Sequence, residues 1–314
     1  MDVLVVGAGA LGCWLSASLC ASANVTVFCR AAQADAINEN GILVVDGDGR
    51  SIYRSVKALD SADGLKAGFD LIIFAVKSYD TKNAAMKIKD TVLKTGGARG
   101  RDEPVVLSLQ NGIGNEEKLA KVFGKENVLG GVTSHGMTSL GNGEIEHRGE
   151  GYTIIGEMDG SCGARCKRVA KLFSGAGIKT EVSENIVGEI WLKGIVNSAI
   201  NPSTVIYDCL NGELLDGDER EKMMEDITAE CVAVANAAGI LLPHPNPIEV
   251  VKRVATQTAK NRSSMLQSID AKKRTEIDSM NDYFVKLGRG HGIATPVNEK
   301  IVAKIKETEK ERSV

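Results

Sequence analysis

The chain opens on VLVVGAGALGCWLSASLCASA, Val3 to Ala23, a run without a charged residue. Its length alone would suit a membrane span, which takes about 20 predominantly apolar residues, and its position would suit an export signal. Neither pattern holds. A signal carries positive charge ahead of its apolar core, and here the only charge before the run is Asp2, while Gly7, Gly9, Gly12, Ser16, Ser18 and Ser22 dilute its hydrophobicity. The run divides in two. VLVV is the short, continuous apolar stretch of a strand buried on both faces of a parallel sheet, and after a glycine-rich turn a helix-compatible segment continues to about Ser22. A β-branched run, NVTVF, follows at Asn24 to Phe28. Strand, glycine turn, helix and strand make a complete βαβ unit.

The turn reads Gly7-Ala8-Gly9-Ala10-Leu11-Gly12, the GxGxxG spacing. In such a unit the first glycine permits the tight turn, the second lets the backbone approach a pyrophosphate, and the third lets helix and strand pack closely. The diphosphate then rests on the free N–H groups and positive end of the helix. An ordinary tight turn without a ligand is the bland alternative, but the place between a buried strand and a helix favours a dinucleotide cradle. NAD sites put an acidic residue at the end of the second strand to bind the ribose diol. Here that strand ends Phe28-Cys29-Arg30. A guanidinium can neutralise a 2′-phosphate, so the sequence points to NADPH/NADP+ as the cofactor.

Beyond this unit the first half keeps alternating strands and helices, the signature of a doubly wound, mostly parallel α/β sheet of Rossmann type. A helix is expected around Ala31 to Asn40, and an antiparallel hairpin at GILVVDGDGRSIYRSV about the turn Asp46-Gly47-Asp48-Gly49. FDLIIFAVKS is a buried strand ending at Lys77, and EPVVLSLQNG another ending at Gln110-Asn111-Gly112. Strand character dominates Asn127 to Gly156, before a helix near Gly163 to Ser174 and the strand IKTEV. From about Ser183 the texture changes to helices: Asn185 to Asn201, Asp218 to Ala238, Pro247 to Ser268 and Thr275 to His291, with a charged tail after Val297. The expected organisation is a Rossmann domain over 1–184 and an all-α substrate-binding domain over 185–314. Ligands lie beyond the carboxyl ends of such strands, and a site in the cleft between the halves is the expectation.

Composition narrows the function. At 314 residues the chain is long enough for two domains, and 25% charged with 43% hydrophobic residues is ordinary for a globular protein. A net charge of -3 and a pI near 5.9 give no footing for nucleic acid or an anionic membrane. Seven scattered cysteines, an odd number, fit reduced thiols in a cytoplasmic protein. Cys162 and Cys166 form at most half a metal site, and no metal is expected. Apolar positions on the helical half are compatible with internal packing and with a homodimer.

Candidate chemistry concentrates in EIWLKGIVNSAINPST, where Lys193, Asn197 and Asn201 recur at i, i+4 and i+8. On a helix they stack on one face over roughly 12 Å. Around them Ile190, Trp191, Leu192, Ile195, Val196, Ala199 and Ile200 are apolar, so a buried helix carries a polar ladder. An ammonium and two amides buried without partners would cost several kcal/mol, so they call for a ligand, water or other polar groups. Further on, NRSSMLQSIDAKKRTEID offers Asn261 and Ser264 as an i, i+3 pair on one helix, and Glu276 near a new helix start at Thr275. Read alone, Glu276 serves equally well as a capping or helix-dipole partner.

With these residues in view, the whole chain resembles the ketopantoate reductase family (2-dehydropantoate 2-reductases) of the 6-phosphogluconate dehydrogenase-like superfamily. The resemblance is carried by GAGALG, AVKSYD, LQNGIG, WLKGIVNSAINPSTV, NGELL, NRSSMLQ, TEID and HGIATP. The Lys-x-x-x-Asn spacing is shared across the superfamily; Asn201-Pro202 and the SSMLQ and TEID pair are more specific. The resemblance implies an NADPH-dependent reduction of 2-dehydropantoate to (R)-pantoate, a step toward pantothenate and coenzyme A. It implies Lys193 as proton donor and Glu276 as the active-site carboxylate, also in reach of the cofactor. Asn197, Asn201, Asn211 and Ser264 fall at substrate-binding positions, to which Asn261 is added as the i, i+3 partner of Ser264, with Asn111 where cofactor and substrate meet, and Lys77 and Met137 at cofactor-contacting positions beside the glycine loop and Arg30. Asp282 stands where the family usually has glycine after Asn281, and AKKR before TEID lacks the glycine or proline often found there. Those departures touch the last helices and leave open a reductase of another branched 2-keto acid; a non-catalytic NADPH-binding sensor would have no use for the ladder.

Overall fold

The computed structural model describes residues 1–47, 49–53, 55–93 and 103–312, and the chain divides into two compact units, Met1–Gln110 with Asn115–Ile186, and Asn111–Gly114 with Val187–Val314. The first unit runs β1 (Asp2–Val6), α1 (Ala10–Leu19), β2 (Asn24–Phe28), α2 (Ala31–Asn40), β3 (Ile42–Asp46), β4 (Gly49–Tyr53), β5 (Lys57–Leu59), β6 (Leu71–Phe74), α3 (Thr81–Val92), β7 (Val105–Ser108), α4 (Asn115–Phe123), β8 (Val128–Thr133), β9 (Gly136–Gly141), β10 (Glu144–Gly149), β11 (Thr153–Glu157), α5 (Ala164–Gly175) and β12 (Thr180–Val182).

Eight of these strands form one sheet in the order β12-β11-β8-β7-β6-β1-β2-β5. Every neighbouring pair is parallel except β8 with β11. The chain leaves β1 toward β2 and β5, then returns to place β6 on the other side of β1, so strand order reverses there. Alternate side chains of β1 feed two cores. Val3 and Val5 pack with Cys13, Leu15, Leu71 and Leu107 on one face, and Leu4 and Val6 with Ile72, Phe74, Ala85 and Ile88 on the other. This is why VLVV is apolar throughout: with both faces covered, each of its side chains gains about 1.5–3 kcal/mol from burial.

The predicted hairpin forms with β3 antiparallel to β4 and Asp46 paired with Gly49; Asp48 of its turn lies outside the described residues. It belongs to a second, four-stranded sheet of order β4-β3-β10-β9. There β10 runs parallel to β3 and antiparallel to β9. The sequence reading did not foresee this sheet, because β3 and β10 are joined across most of the unit. Helix α1 packs on it, with Trp14 4.3 Å from the ring of His135 and 5.4 Å from that of His147.

The second unit is helical: α6 (Ile186–Tyr207), α7 (Asp218–Ala237), α8 (Pro247–Gln257), α9 (Ser264–Asp270), α10 (Asn281–His291) and α11 (Pro296–Arg312), with 3-10 turns at Gly212–Leu215 and Ile277–Ser279. Four sequence expectations need correcting. Helix α6 does not stop at Asn201 but passes through Pro202 to Tyr207. Proline lacks the N–H that would bond the carbonyl four residues back, and that carbonyl, of Ser198, instead accepts from Asn281 Nδ2 at 3.0 Å. Second, the expected helix from Pro247 to Ser268 is two. Ser263 caps α9, its side chain accepting from the Leu266 N–H at 3.1 Å, so Asn261 lies in the connection and does not share a helix with Ser264. Third, Thr275 to His291 begins as a 3-10 turn, and Met280, at φ -114 and ψ -109, separates it from α10. Fourth, the charged tail is α11, held down by buried Ile301, Val302 and Ile305; its charges fill the outer positions and mask a short apolar stripe.

Candidate active site

Each glycine of the loop has a measurable task. Gly7 has φ +111, and a Cβ there would fall 2.8 Å from Val76 Cγ1 and 2.9 Å from the Val76 nitrogen, so the turn passes against the end of β6. At Gly12 a Cβ would sit 1.8 Å from the Gly7 carbonyl oxygen, which forces glycine where α1 crosses β1. Gly9 differs, for a Cβ there would meet nothing within 4 Å. It is also the N-cap of α1 and brings no side-chain cap to the helix start. A helix N-terminus with no side-chain cap, beside open space, is what a pyrophosphate requires, so the residues present fit a dinucleotide, with Ala8, Ala10 and Leu11 completing the loop.

Around the loop, Arg30 is the exposed N-cap of α2. Three residues on, Gln33 Nε2 donates to the Ala8 carbonyl at 2.7 Å and ties the first turn of α2 to the glycine loop, a contact between distant residues that no local pattern announces. Lys77 opens the turn after β6, its carbonyl accepting from the Asp80 N–H at 2.8 Å. Met137, on β9, is half-buried against the core that contains Trp14 and lies opposite His147. Beside it His135 Nδ1 accepts from the Gly151 N–H at 3.1 Å and lies 3.1 Å from His147 Nε2. Burial, with His147 close by, pushes its pKa down to about 4.

Beyond the carboxyl end of β7, Gln110 Nε2 donates to the Val76 carbonyl and to Thr81 Oγ1, both at 2.8 Å. Thr81 Oγ1 also lies 3.0 Å from Asn115 Oδ1. In the first turn of α4, Glu116 is buried. Burial raises its carboxyl pKa to about 7, against the opposing pull of the Ser108 hydroxyl and its own backbone amide.

The remaining candidates gather in the second unit. Lys193 and Asn197 are half-buried and Asn201 buried along α6. Asn201 Nδ2 donates to Ser264 Oγ at 3.4 Å and approaches Met280 Sδ at 3.8 Å, while Thr204 Oγ1 and Ser263 Oγ lie 2.6 Å apart. The ladder is thereby joined to the start of α9 and to the residue before α10. Segment Asn111–Gly114 belongs to this unit. The Ile113 N–H donates to the Ser279 carbonyl at 2.9 Å. Gly112, at φ +84, lies so close that a Cβ would fall 2.4 Å from Ser279 Oγ. On its other side a Cβ at Gly194 would fall 2.7 Å from Ile113 Cδ1. The segment that Asn111 opens is thus held, through Gly112 and Ile113, between the residue after Lys193 and the turn that begins at buried Glu276, where Ser279 Oγ donates to the Glu276 carbonyl at 3.1 Å.

An ion-pair chain flanks that turn: Arg274 and Lys306 on Asp278 at 2.7 and 2.8 Å, and Lys306 and Lys286 on Asp282 at 3.5 and 2.8 Å. Burial works against the Asp278 carboxylate, but its bonds from Lys306 and Arg274 outweigh it and hold the pKa at about 2. Asp282, in place of glycine, is therefore accommodated by two lysines. Asn211, buried, has its N–H bonded to the Asn261 carbonyl at 3.0 Å and its Nδ2 to Thr258 Oγ1 at 2.9 Å; the contribution of Thr258 was not visible in the sequence.

The chain matches the family model described as Ketopantoate reductase PanE/ApbA over residues 3–160 and its C-terminal counterpart over 185–309. A 2-dehydropantoate 2-reductase of Pyrococcus horikoshii is 36% identical over 310 residues, covering 98% of both chains. The chain belongs to the ketopantoate reductase family. Members of this family are oxidoreductases, and so is this chain. Among solved structures, a ketopantoate reductase of Ralstonia eutropha superposes with a TM-score of 0.89 at 30% identity, covering 100% of both chains. A D-mandelate dehydrogenase in complex with NADH and anilino(oxo)acetate superposes with a TM-score of 0.91 at 25% identity, again over 100% of both.

For this reductase Glu116 generates a prediction. An acid whose folded pKa lies above its unfolded value binds more protons in the folded state, so stability falls as pH rises through the interval between the two. For Glu116 that interval runs from 4.5 to about 7. Glu116→Gln, which cannot ionise, should match the wild type at pH 4 and exceed it by about 3 kcal/mol above pH 8. Urea unfolding across that range checks this; parallel pH profiles for the two proteins would show that Glu116 ionises freely.

Proposed function

We propose that this chain reduces 2-dehydropantoate to (R)-pantoate with NADPH. The observation that carries the reading is the ladder of Lys193, Asn197 and Asn201 on an otherwise apolar helix, with Asn201 joined to Ser264. NADPH, when bound, would supply the hydride that reduces the C2 carbonyl carbon. As that carbon is reduced, its oxygen gains negative charge, and the Lys193 ammonium stabilises the charge and donates the proton that completes the hydroxyl. Asn111, Asn197, Asn201, Asn211, Asn261 and Ser264 orient the carboxylate and hydroxyl of the substrate. Glu276 accepts a hydrogen bond from substrate and favours the charged state of Lys193. Gly7 to Gly12 would hold the pyrophosphate, Arg30 the 2′-phosphate, and Lys77 and Met137 the remainder of the dinucleotide.

The fold similarity to a D-mandelate dehydrogenase solved with NADH supports a second reading, in which the same machinery acts on another 2-keto acid. Initial rates of NADPH and NADH oxidation with 2-dehydropantoate, 2-ketoisovalerate and 2-ketoisocaproate separate the two. A dominant kcat/KM for NADPH with 2-dehydropantoate is expected; higher values for the simpler acids would move the assignment to the second reading.

Two substitutions test the residue roles. Lys193→Ala should lower kcat by about 10²–10⁴ while NADPH affinity by fluorescence titration stays within about twofold; a matching loss of cofactor affinity would exclude the proton-donor role. Arg30→Ala removes charge-assisted hydrogen bonds and should raise the KM for NADPH by roughly tenfold to a hundredfold, with little change for NADH. Equal effects on both cofactors would detach Arg30 from the 2′-phosphate.

A further inference from the structure

Resting on the assignment of Asn211 to the substrate, the hydrogen bonds around it identify a residue that decides what Asn211 can recognise. Two backbone bonds fix its turn against the segment after α8, from the Asn211 N–H to the Asn261 carbonyl at 3.0 Å and from the Gly212 N–H to the Ala259 carbonyl at 3.1 Å. Gly212 permits that approach, since a Cβ there would fall 2.5 Å from Ala259 Cβ. The side chain is fixed separately. Thr258 Oγ1 lies 2.7 Å from the Val254 carbonyl and 2.9 Å from Asn211 Nδ2. A carbonyl only accepts, so the single hydroxyl proton of Thr258 is committed to Val254, and Thr258 can meet Asn211 only as an acceptor. A flipped amide would either set two acceptor oxygens against each other or draw the hydroxyl proton away from Val254, at the cost of that bond. The Thr258 hydroxyl therefore selects the orientation that turns Asn211 Nδ2 toward itself.

What remains is Asn211 Oδ1, buried and without a hydrogen-bond partner among the described residues. A buried acceptor left unpaired is costly, and a binding site retains one when its ligand brings the donor. Ketone and carboxylate oxygens bring only lone pairs. A hydroxyl brings a proton.

We propose that Thr258 is a positioning residue that locks Asn211 as a hydrogen-bond acceptor, so that the site selects 2-keto acids carrying a hydroxyl group over analogues lacking it. Sites that bond a substrate hydroxyl reject the deoxy analogue by up to about 10⁴–10⁵, because the buried acceptor then stays unpaired.

The test compares 2-dehydropantoate with 3,3-dimethyl-2-oxobutanoate, which differs from it by one hydroxyl. Thr258→Val keeps the shape and frees the amide to flip. It should lower kcat/KM for the hydroxylated acid about tenfold or more, the size of one hydrogen bond, and change that for the deoxy acid less than about twofold. Thr258→Ser should restore the wild-type preference. Added to Asn211→Ala, Thr258→Val should cost nothing further, because the two act as one unit. Equal losses on both acids, no loss on either, or a further loss of preference in the double variant would overturn the proposal. Thr258→Ala reads out the same split if the valine variant does not accumulate. Wild-type protein that uses both acids equally well would remove Asn211 from the substrate, and with it the assignment this rests on; a wild-type preference that survives Thr258→Val removes Thr258 alone.

Discussion

A carbonyl in the middle of a buried helix must find a donor, and in α6 one of them cannot find it in its own backbone. Pro202 takes the N–H away from Ser198, and the amide of Asn281 supplies it at 3.0 Å. The repair does not end there. Asn281 Nδ2 also donates to Asn298 Oδ1 at 2.9 Å, and Asn298 Nδ2 to Glu230 at 2.7 Å, whose carboxylate takes the N–H groups of Val297 and Asn298 at 2.8 and 2.9 Å. Four helices, α6, α7, α10 and α11, are bound through one interrupted helical bond. Because Asn201 directly precedes the proline and Met280 directly precedes Asn281, the same repair sets the spacing of the polar ladder from the turn that holds Glu276. Asn201 Nδ2 reaches Met280 Sδ at 3.8 Å as a result.

The first unit solves its own problem by subtraction. At Gly7 and Gly12 backbone meets backbone, and a single methyl group at either place would collide with Val76 or with the Gly7 carbonyl. At Gly9 the missing side chain leaves space instead of contact. One motif therefore contains two kinds of glycine, those that close the structure and one that keeps it open, and in the proposed function only the second kind faces the ligand. Gln33 adds a tie between the loop and the helix capped by Arg30, so the loop proposed for the pyrophosphate and the arginine proposed for the 2′-phosphate are mechanically joined.

These two solutions were not equally legible in the sequence. The βαβ start is local, written in consecutive residues, and so are the spacing of the α6 ladder and the hairpin of β3 and β4. What escaped the sequence depends on partners far along the chain. The pairing of β3 with β10 is one case, and the survival of α6 beyond Pro202 is another, for nothing near residue 202 announces a donor at residue 281. The break after α8 was missed because no glycine or proline marks residues 258–263, whereas the cap at Ser263 is decided by one hydroxyl finding the Leu266 N–H. In α11 the reverse holds: charge on the outer positions hid Ile301, Val302 and Ile305, which tie the helix to the core. Gln33 and Thr258 are ordinary polar residues until the fold sets a carbonyl or an amide before them.

The choice of side chains in the second unit follows from the cost of burying polarity. Ionised groups removed from water cost several kcal/mol each and must be paired, whereas an amide can be satisfied by one or two hydrogen bonds. A site that orients an anion with several buried cations would have to stabilise all of them when empty. Here a single lysine stands on the ladder, and the other groups assigned to orientation are five asparagines and a serine. In the proposed reaction only the oxygen that gains charge needs an ammonium; every other substrate atom needs direction. An asparagine supplies direction only if its two ends are distinguished, which requires a neighbour that cannot itself donate, and Thr258, with its proton held by Val254, is such a neighbour.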